Sequence, residues 1–99
     1  MTDANDITAE PSAMDRLDTA GAMLLACGAR SIAIVGKIAD GLLCGMWQVD
    51  CEIRRHGHVA TMTFVSRDHD TAIDNCAEWI MATRDELVGA GRAQPRPSR

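Results

Sequence analysis

The sequence predicts an α+β fold of order α-β-β-β-α, a three-stranded antiparallel meander with both helices packed on one face. Two runs of period-two alternation meet at His56-Gly57 and read as a hairpin. An apolar, β-branched stretch holding Ile32, Ile34, Val35 and Ile38 precedes them and reads as a third strand. Apolar stripes with helical spacing flank this block on both sides.

The first helix is expected to start at Ser12, an N-cap residue with Asp15 in the capping-box position. Ala13, Met14, Leu17, Ala20, Gly21 and Leu24 fall on one side of it, and Gly28 provides the stop. Gly21 lies mid-stripe, where propensity alone disfavours it by about 1 kcal/mol, so a close approach to a sheet or helix is expected there. The strand from Ser31 to Ile38 is followed by Asp40-Gly41, read as a two-residue turn. That turn pairs Ile34 with Trp47, Ile32 with Val49 and Ile38 with Leu43, although Gly41 and Gly45 leave 39–46 open as strand or loop.

The second turn, His56-Gly57, pairs Ile53 with Ala60, Cys51 with Met62 and Val49 with Phe64 on an inner face. Glu52 then faces Thr61, and Asp50 faces Thr63, on a polar outer face. The last helix is capped by Asp68 or Asp70 and buries Ala72, Ile73, Cys76, Ala77, Ile80 and Leu87. Gly89 and Gly91 are expected to end it.

Chain length sets the organisation. The 99 residues and 10.7 kDa allow one α+β domain, expected over 12–91. Residues 1–11 carry Asp3, Asp6, Glu10 and Pro11 without periodicity and read as a flexible acidic N-terminal tail. Residues 92–99 carry Arg92, Arg96 and Arg99 with Pro95 and Pro97 and read as a flexible basic C-terminal tail. A 46% hydrophobic composition and a mean hydropathy of −0.08 fit a globular chain. The net charge of −4 argues against a generic binder of phosphate backbones. The longest uncharged run, Thr19 to Ala29, falls far short of the roughly 20 residues a membrane span needs. Met1 is followed by Thr2, Asp3, Ala4, Asn5 and Asp6, which gives no secretory signal, so a reducing cytoplasmic location is expected.

Chemistry-bearing motifs are few. Cys27, Cys44, Cys51 and Cys76 contain no Cys-x2-Cys pair and read as small buried hydrophobes. A metal site combining Cys51 with His56 or His58 is the sharper alternative, but the alternation sends Cys51 into the core and His56 into a turn. Ser66, His69 and Asp70 lie close together, yet helix capping explains their spacing, and no nucleophile elbow or phosphate loop is present. A non-enzymatic protein without cofactor is therefore expected.

The order of elements over 12–90 resembles the double-stranded-RNA-binding domain. The resemblance implies a lysine cluster on phosphate at the start of the last helix. The matching stretch here is Ser66-Arg67-Asp68-His69-Asp70, acidic where that family is basic. A nucleic-acid alternative rests instead on Arg54, Arg55, His56 and Arg67, with His58 beside them, and lacks interleaved aromatic residues for base stacking.

Three surfaces suit a protein partner better. The first helix is uncharged beyond Asp18, and Ala22, Met23 and Ala26 lie on its solvent side, which suggests self-association as a homodimer. The predicted register gathers Ala33, Val35, Met46 and Val65 around Gln48 on the outer sheet face. On the last helix Trp79 borders the acidic residues Asp74, Glu78 and Glu86, a combination suited to a basic partner surface. The expectation is a small acidic binding module that docks a protein partner. Its size and charge are similar to those of phage and mobile-element inhibitors, anti-CRISPR proteins among them, that cover the nucleic-acid-binding surface of a host complex. That analogy rests on class alone.

Overall fold

A computed structural model describes residues 11–93, with side chains through residue 89. The tails expected at 1–11 and 92–99 lie almost wholly outside these residues. In chain order the elements are α1 (Ala13–Ala26), β1 (Arg30–Lys37), β2 (Trp47–Arg55), β3 (His58–Ser66) and α2 (His69–Ala93). The strands form one antiparallel sheet in the order β1-β2-β3, with both helices on one face. This is the predicted α+β architecture. No helix among the described residues is long and apolar enough to cross a membrane.

Helix α1 begins as its residues dictate. The Ser12 hydroxyl accepts from the Asp15 amide at 3.1 Å, and the Asp15 carboxylate accepts from the Ser12 amide at 3.2 Å. This reciprocal box satisfies two otherwise orphaned N–H groups. Gly28, at φ +90°, lets the chain leave the helix, while the Cys27 amide reaches back to the Leu24 carbonyl at 2.9 Å. Ala13, Leu17, Ala20 and Leu24 form the buried stripe. Leu24 is fully enclosed, so truncating it to alanine costs about 2–5 kcal/mol.

The β2–β3 hairpin has the predicted register at Ile53–Ala60, Cys51–Met62 and Val49–Phe64. His56 and Gly57, at φ 51° and 82°, both occupy the left-handed region that a type I′ turn requires. On the outer face Asp50 accepts hydrogen bonds from Thr63 at 2.8 Å and from the Gln48 amide at 3.0 Å.

The β1–β2 register differs from expectation. Asp40-Gly41 is no two-residue turn. Residues 39–46 form a loop closed by the Gly45 amide on the Ile38 carbonyl at 2.9 Å and the Ile38 amide on the Met46 carbonyl at 2.8 Å. Val35 pairs with Val49 and Ala33 with Cys51, so Ile34 faces Asp50 rather than Trp47. A displacement of three residues is odd and exchanges the two faces. Ile32 and Ile34 therefore stand outside, Ile34 with 66% exposure, while Ser31, Ala33 and Val35 point inward.

Small inward residues on β1 let α1 approach. A Cβ placed on Gly21 would come within 3.1 Å of the Ser31 hydroxyl, which accounts for the glycine mid-stripe. Asp68 caps α2, its carboxylate accepting from the Thr71 amide at 3.0 Å and the Thr71 hydroxyl at 2.9 Å. The helix runs through Gly89 to Ala93, contrary to the expected stop. Gly89 keeps a helical backbone, and glycine ends a helix only where the chain turns left-handed.

Candidate functional site

The core is built from both helices and the middle of the sheet, where Leu24, Ile73, Ile80, Val49 and Cys76 are fully buried. On the far side of the helix layer, α1 and α2 leave a groove of about 590 Å³ between them. Its floor is apolar, from Ala20 and Met23 on α1 and Ala77 and Met81 on α2. Positions 77 and 81 are one turn apart and so meet on one helix face. Glu78 and Asp85 stand along the α2 rim, and both are exposed.

Arg16 and Asp74 form one end of this groove. The Arg16 Nε donates to Asp74 Oδ1 at 2.8 Å, and its second nitrogen donates to Oδ2 at 2.9 Å. A third donor reaches the Pro11 carbonyl at 2.6 Å. Hydrogen bonding from this guanidinium holds the Asp74 carboxyl below the usual carboxylate range, against the opposing effect of desolvation. From Asp74 to Asp85 the rim extends about 16 Å along α2, the length of about three helical turns.

The structure sorts the acidic residues named from the sequence. Asp74 is engaged by Arg16, whereas Glu78 lines the groove with its carboxylate exposed. Glu86 is exposed and seven residues from Trp79, which places it on the Trp79 side of α2, outside the groove. Trp79 is half-buried against the core, its ring 6.0 Å from that of Phe64 and tilted by 55°. On α1, Met23 lies in the groove, while Ala22 and Ala26 are exposed beside it.

The sheet patch around Gln48 does not assemble as expected. Val35 and Ala33 turn inward and pack against the core, because the register is displaced. Val65 does pair with Gln48, and Met46 is half-buried at the end of the loop. The apolar residues exposed on that outer face are instead Ile32, Ile34 and Val59.

The basic residues divide between two ends of the sheet. Arg54, Arg55, His56 and His58 gather at the hairpin tip, where Arg30 joins them. Arg67 follows the opposite end of β3, about 27 Å away along the strand, and cannot share their ligand. At that opposite end Lys37 lies 5.5 Å over the Trp47 ring, and His69 meets Trp47 edge-on at 4.7 Å. The His69 ring nitrogen contacts Asp70 at 2.9 Å.

Two of the cysteines depart from the expected burial, since Cys44 is exposed and Cys27 is half-buried. Cys51 and Cys76 are buried side by side, joining β2 to α2. The thiol hydrogen bond to Cys51 and then burial push the Cys76 thiol far above its ordinary range. Among the described residues no group of three His, Cys, Asp or Glu side chains is arranged to hold a metal ion, and Cys51 lies well inside while His56 and His58 stand at the exposed tip.

Met81, Asp85 and Arg16 were not singled out from the sequence as site residues. The signal for Met81 and Asp85 was present in the spacing of Ala77 with Met81 and of Glu78 with Asp85, which share one side of a helix, whereas Arg16 is defined by its contact with Asp74, 58 positions away. Which side remains uncovered is decided by the angle at which α1 lies on α2. The sequence matches no protein-family model, and it matches no curated protein.

Proposed function

We propose that this protein is a docking module that receives a basic amphipathic helix of a partner protein in the α1–α2 groove. The observation that carries the reading is an apolar floor of Ala20, Met23, Ala77 and Met81 beside exposed carboxylates of Glu78 and Asp85. An isolated domain ordinarily turns a polar helix surface to water at this position. A helix laid in a groove buries apolar anchors at i, i+4 and i+7 spacing, and its flanking lysines or arginines meet the carboxylate rim. The rim length of about three turns suits such a segment.

The partner class is a protein with a basic surface, of the kind that nucleic-acid-handling complexes carry, and the proposed role is to cover that surface. Inhibition of a host complex is the form of this role suggested by size and acidity. A second copy of the chain is the competing occupant, through Ala22, Met23 and Ala26.

The test is a titration with two fluorescent amphipathic helices of equal apolar content, one carrying lysines and one carrying glutamates. The lysine helix is expected to bind with marked salt sensitivity. Met81→Glu is expected to weaken it at least tenfold, and Glu78→Lys with Asp85→Lys to reverse the preference between the helices. Equal binding of both peptides, or binding indifferent to these variants, overturns the reading. A stable dimer by light scattering that Met23→Glu dissociates assigns the groove to a second copy instead.

A further inference from the structure

We infer a second, independent site: a compact phosphate-binding cleft at the hairpin tip, formed by Arg30, Arg54, Arg55, His56 and His58. The cleft has a volume of about 760 Å³, within the range of small-ligand sites, and Leu25 at the end of α1 closes one side. No carboxylate side chain lines it.

The strand register creates the charge. Arg30 and Arg54 are direct cross-strand partners, and Arg55 is paired with His58 on the opposite face at the same end. Like charges placed directly opposite destabilise a sheet, and a dianion between them converts repulsion into attraction. Glu52 engages the Nε of Arg54 and leaves its terminal nitrogens to donate elsewhere. Arg30 and Arg55 make no ion pair with any described residue. Three arginines thus line one concavity, with Glu52 on Arg54 and Asp18 in the neighbouring pocket that Arg30 also lines, in a chain whose net charge is −4.

The surroundings favour a compact phosphate over a nucleic-acid strand. Along the outer face of β2 the residues inward from Arg54 are Glu52, Asp50 and Gln48, so carboxylates begin about 7 Å from Arg54. A polyanionic backbone continuing along the sheet meets repulsion there. A single phosphoryl group does not. The ligand class is inorganic phosphate or a small phosphate monoester, with Leu25 and Val59 as an apolar wall for an organic group.

The experiment follows backbone amide signals of the full chain during titration with sodium phosphate, against sodium chloride at matched ionic strength. Saturable shifts confined to Arg30 and residues 54–58 are expected with phosphate alone. Arg30→Gln and Arg55→Gln are each expected to weaken binding at least threefold, and Arg67→Gln to leave it unchanged. Melting gives a second readout. Phosphate is expected to raise the melting temperature of the wild type. In chloride Arg30→Gln is expected to melt higher than the wild type, by removal of the cross-strand repulsion, and to lose the response to phosphate. Ribose 5-phosphate distinguishes the sources: tighter binding than phosphate assigns a monoester, and equal binding assigns the free ion. Shifts that chloride reproduces overturn the site. Duplex RNA of about 16 base pairs binding at least tenfold tighter than phosphate, with a steep salt dependence, overturns the compact ligand in favour of nucleic acid.

Discussion

Arg16 and Asp74, 58 positions apart in sequence, are joined by two parallel hydrogen bonds of 2.8 and 2.9 Å that tie the beginning of α1 to the beginning of α2. The fork matches carboxylate geometry and bridges the two helices at one end of the groove, while their orientation is set by the core packed between them and the sheet.

The tie has a pH dependence with a definite sign. The folded-state pKa of Asp74 is depressed by Arg16, so the stabilisation is present above the ordinary carboxylate range and is lost as pH falls through the folded value. Both side chains are more than a third exposed, at 42% and 36%, and solvent screening holds the contribution to about 0.5–1 kcal/mol. Asp74→Asn is expected to lower stability by that amount at pH 7 and by less at about pH 2.5, below the ordinary carboxylate range. Urea unfolding at the two pH values checks it. An equal loss at both would show that the carboxylate charge is irrelevant.

The face assignment of β1 is open to a direct comparison of neighbours. Ile34 is exposed on the outer face and Val35 packs against the core. Ile34→Ser is expected to cost under about 1 kcal/mol. Val35→Ser is expected to cost about 2 kcal/mol or more, since it removes buried apolar area and introduces a hydroxyl. Chemical denaturation of the pair measures the difference. The opposite order would restore the register with Ile34 inside.

Gly21 opposes Ser31 closely enough to make a double-mutant cycle informative. Gly21→Ala gains about 1 kcal/mol of helix propensity, while its new Cβ presses on the Ser31 hydroxyl at 3.1 Å. In a Ser31→Ala background that oxygen is gone, and the full gain is expected to appear in the melting temperature. The coupling between the two substitutions is expected to be at least about 0.5 kcal/mol. Strict additivity would mean that α1 and β1 do not meet at these residues.

The thiols should separate by reactivity. Cys44 is exposed, its Sγ donating to the Ala39 carbonyl at 3.1 Å, while Cys51 and Cys76 are shielded from solvent. The thiolate is the reactive form, and the Cys76 thiol is held protonated by Cys51 and by burial. An aromatic disulfide reagent is expected to modify Cys44 first, Cys27 more slowly, and Cys51 and Cys76 only after denaturation. Four rapid modifications in the native state would contradict the packing of α2 on β2.

The β2–β3 hairpin was legible in the sequence because its information is local. His56-Gly57 specifies a tight turn, and strict alternation on both sides leaves one register that buries Val49, Cys51 and Ile53 together. The start of α1 was legible for the same reason, since Ser12 and Asp15 satisfy each other within one turn. The pairing of β1 was decided elsewhere. Ile34 and Val35 are both apolar and β-branched, so composition cannot choose which of them faces inward. That choice falls to the loop at 39–46 and to α1, whose approach at Gly21 admits Ser31, Ala33 and Val35 beneath it.

The candidate sites divide in the same way. Sequence alone identified acidic residues on one helix and basic residues at one turn, because each set lies within a short segment. Tertiary structure decided which of them act together. Helix packing set Glu78 and Asp85 beside an apolar floor and spent Asp74 on Arg16. Sheet pairing placed Arg30 opposite Arg54 and removed Arg67 to the far end of β3. Local pattern determines which elements form, since capping, turn geometry and alternation act over a few residues. The groove and the cleft are made by contacts between residues distant in sequence, and only the packing of one element on another brings those residues together.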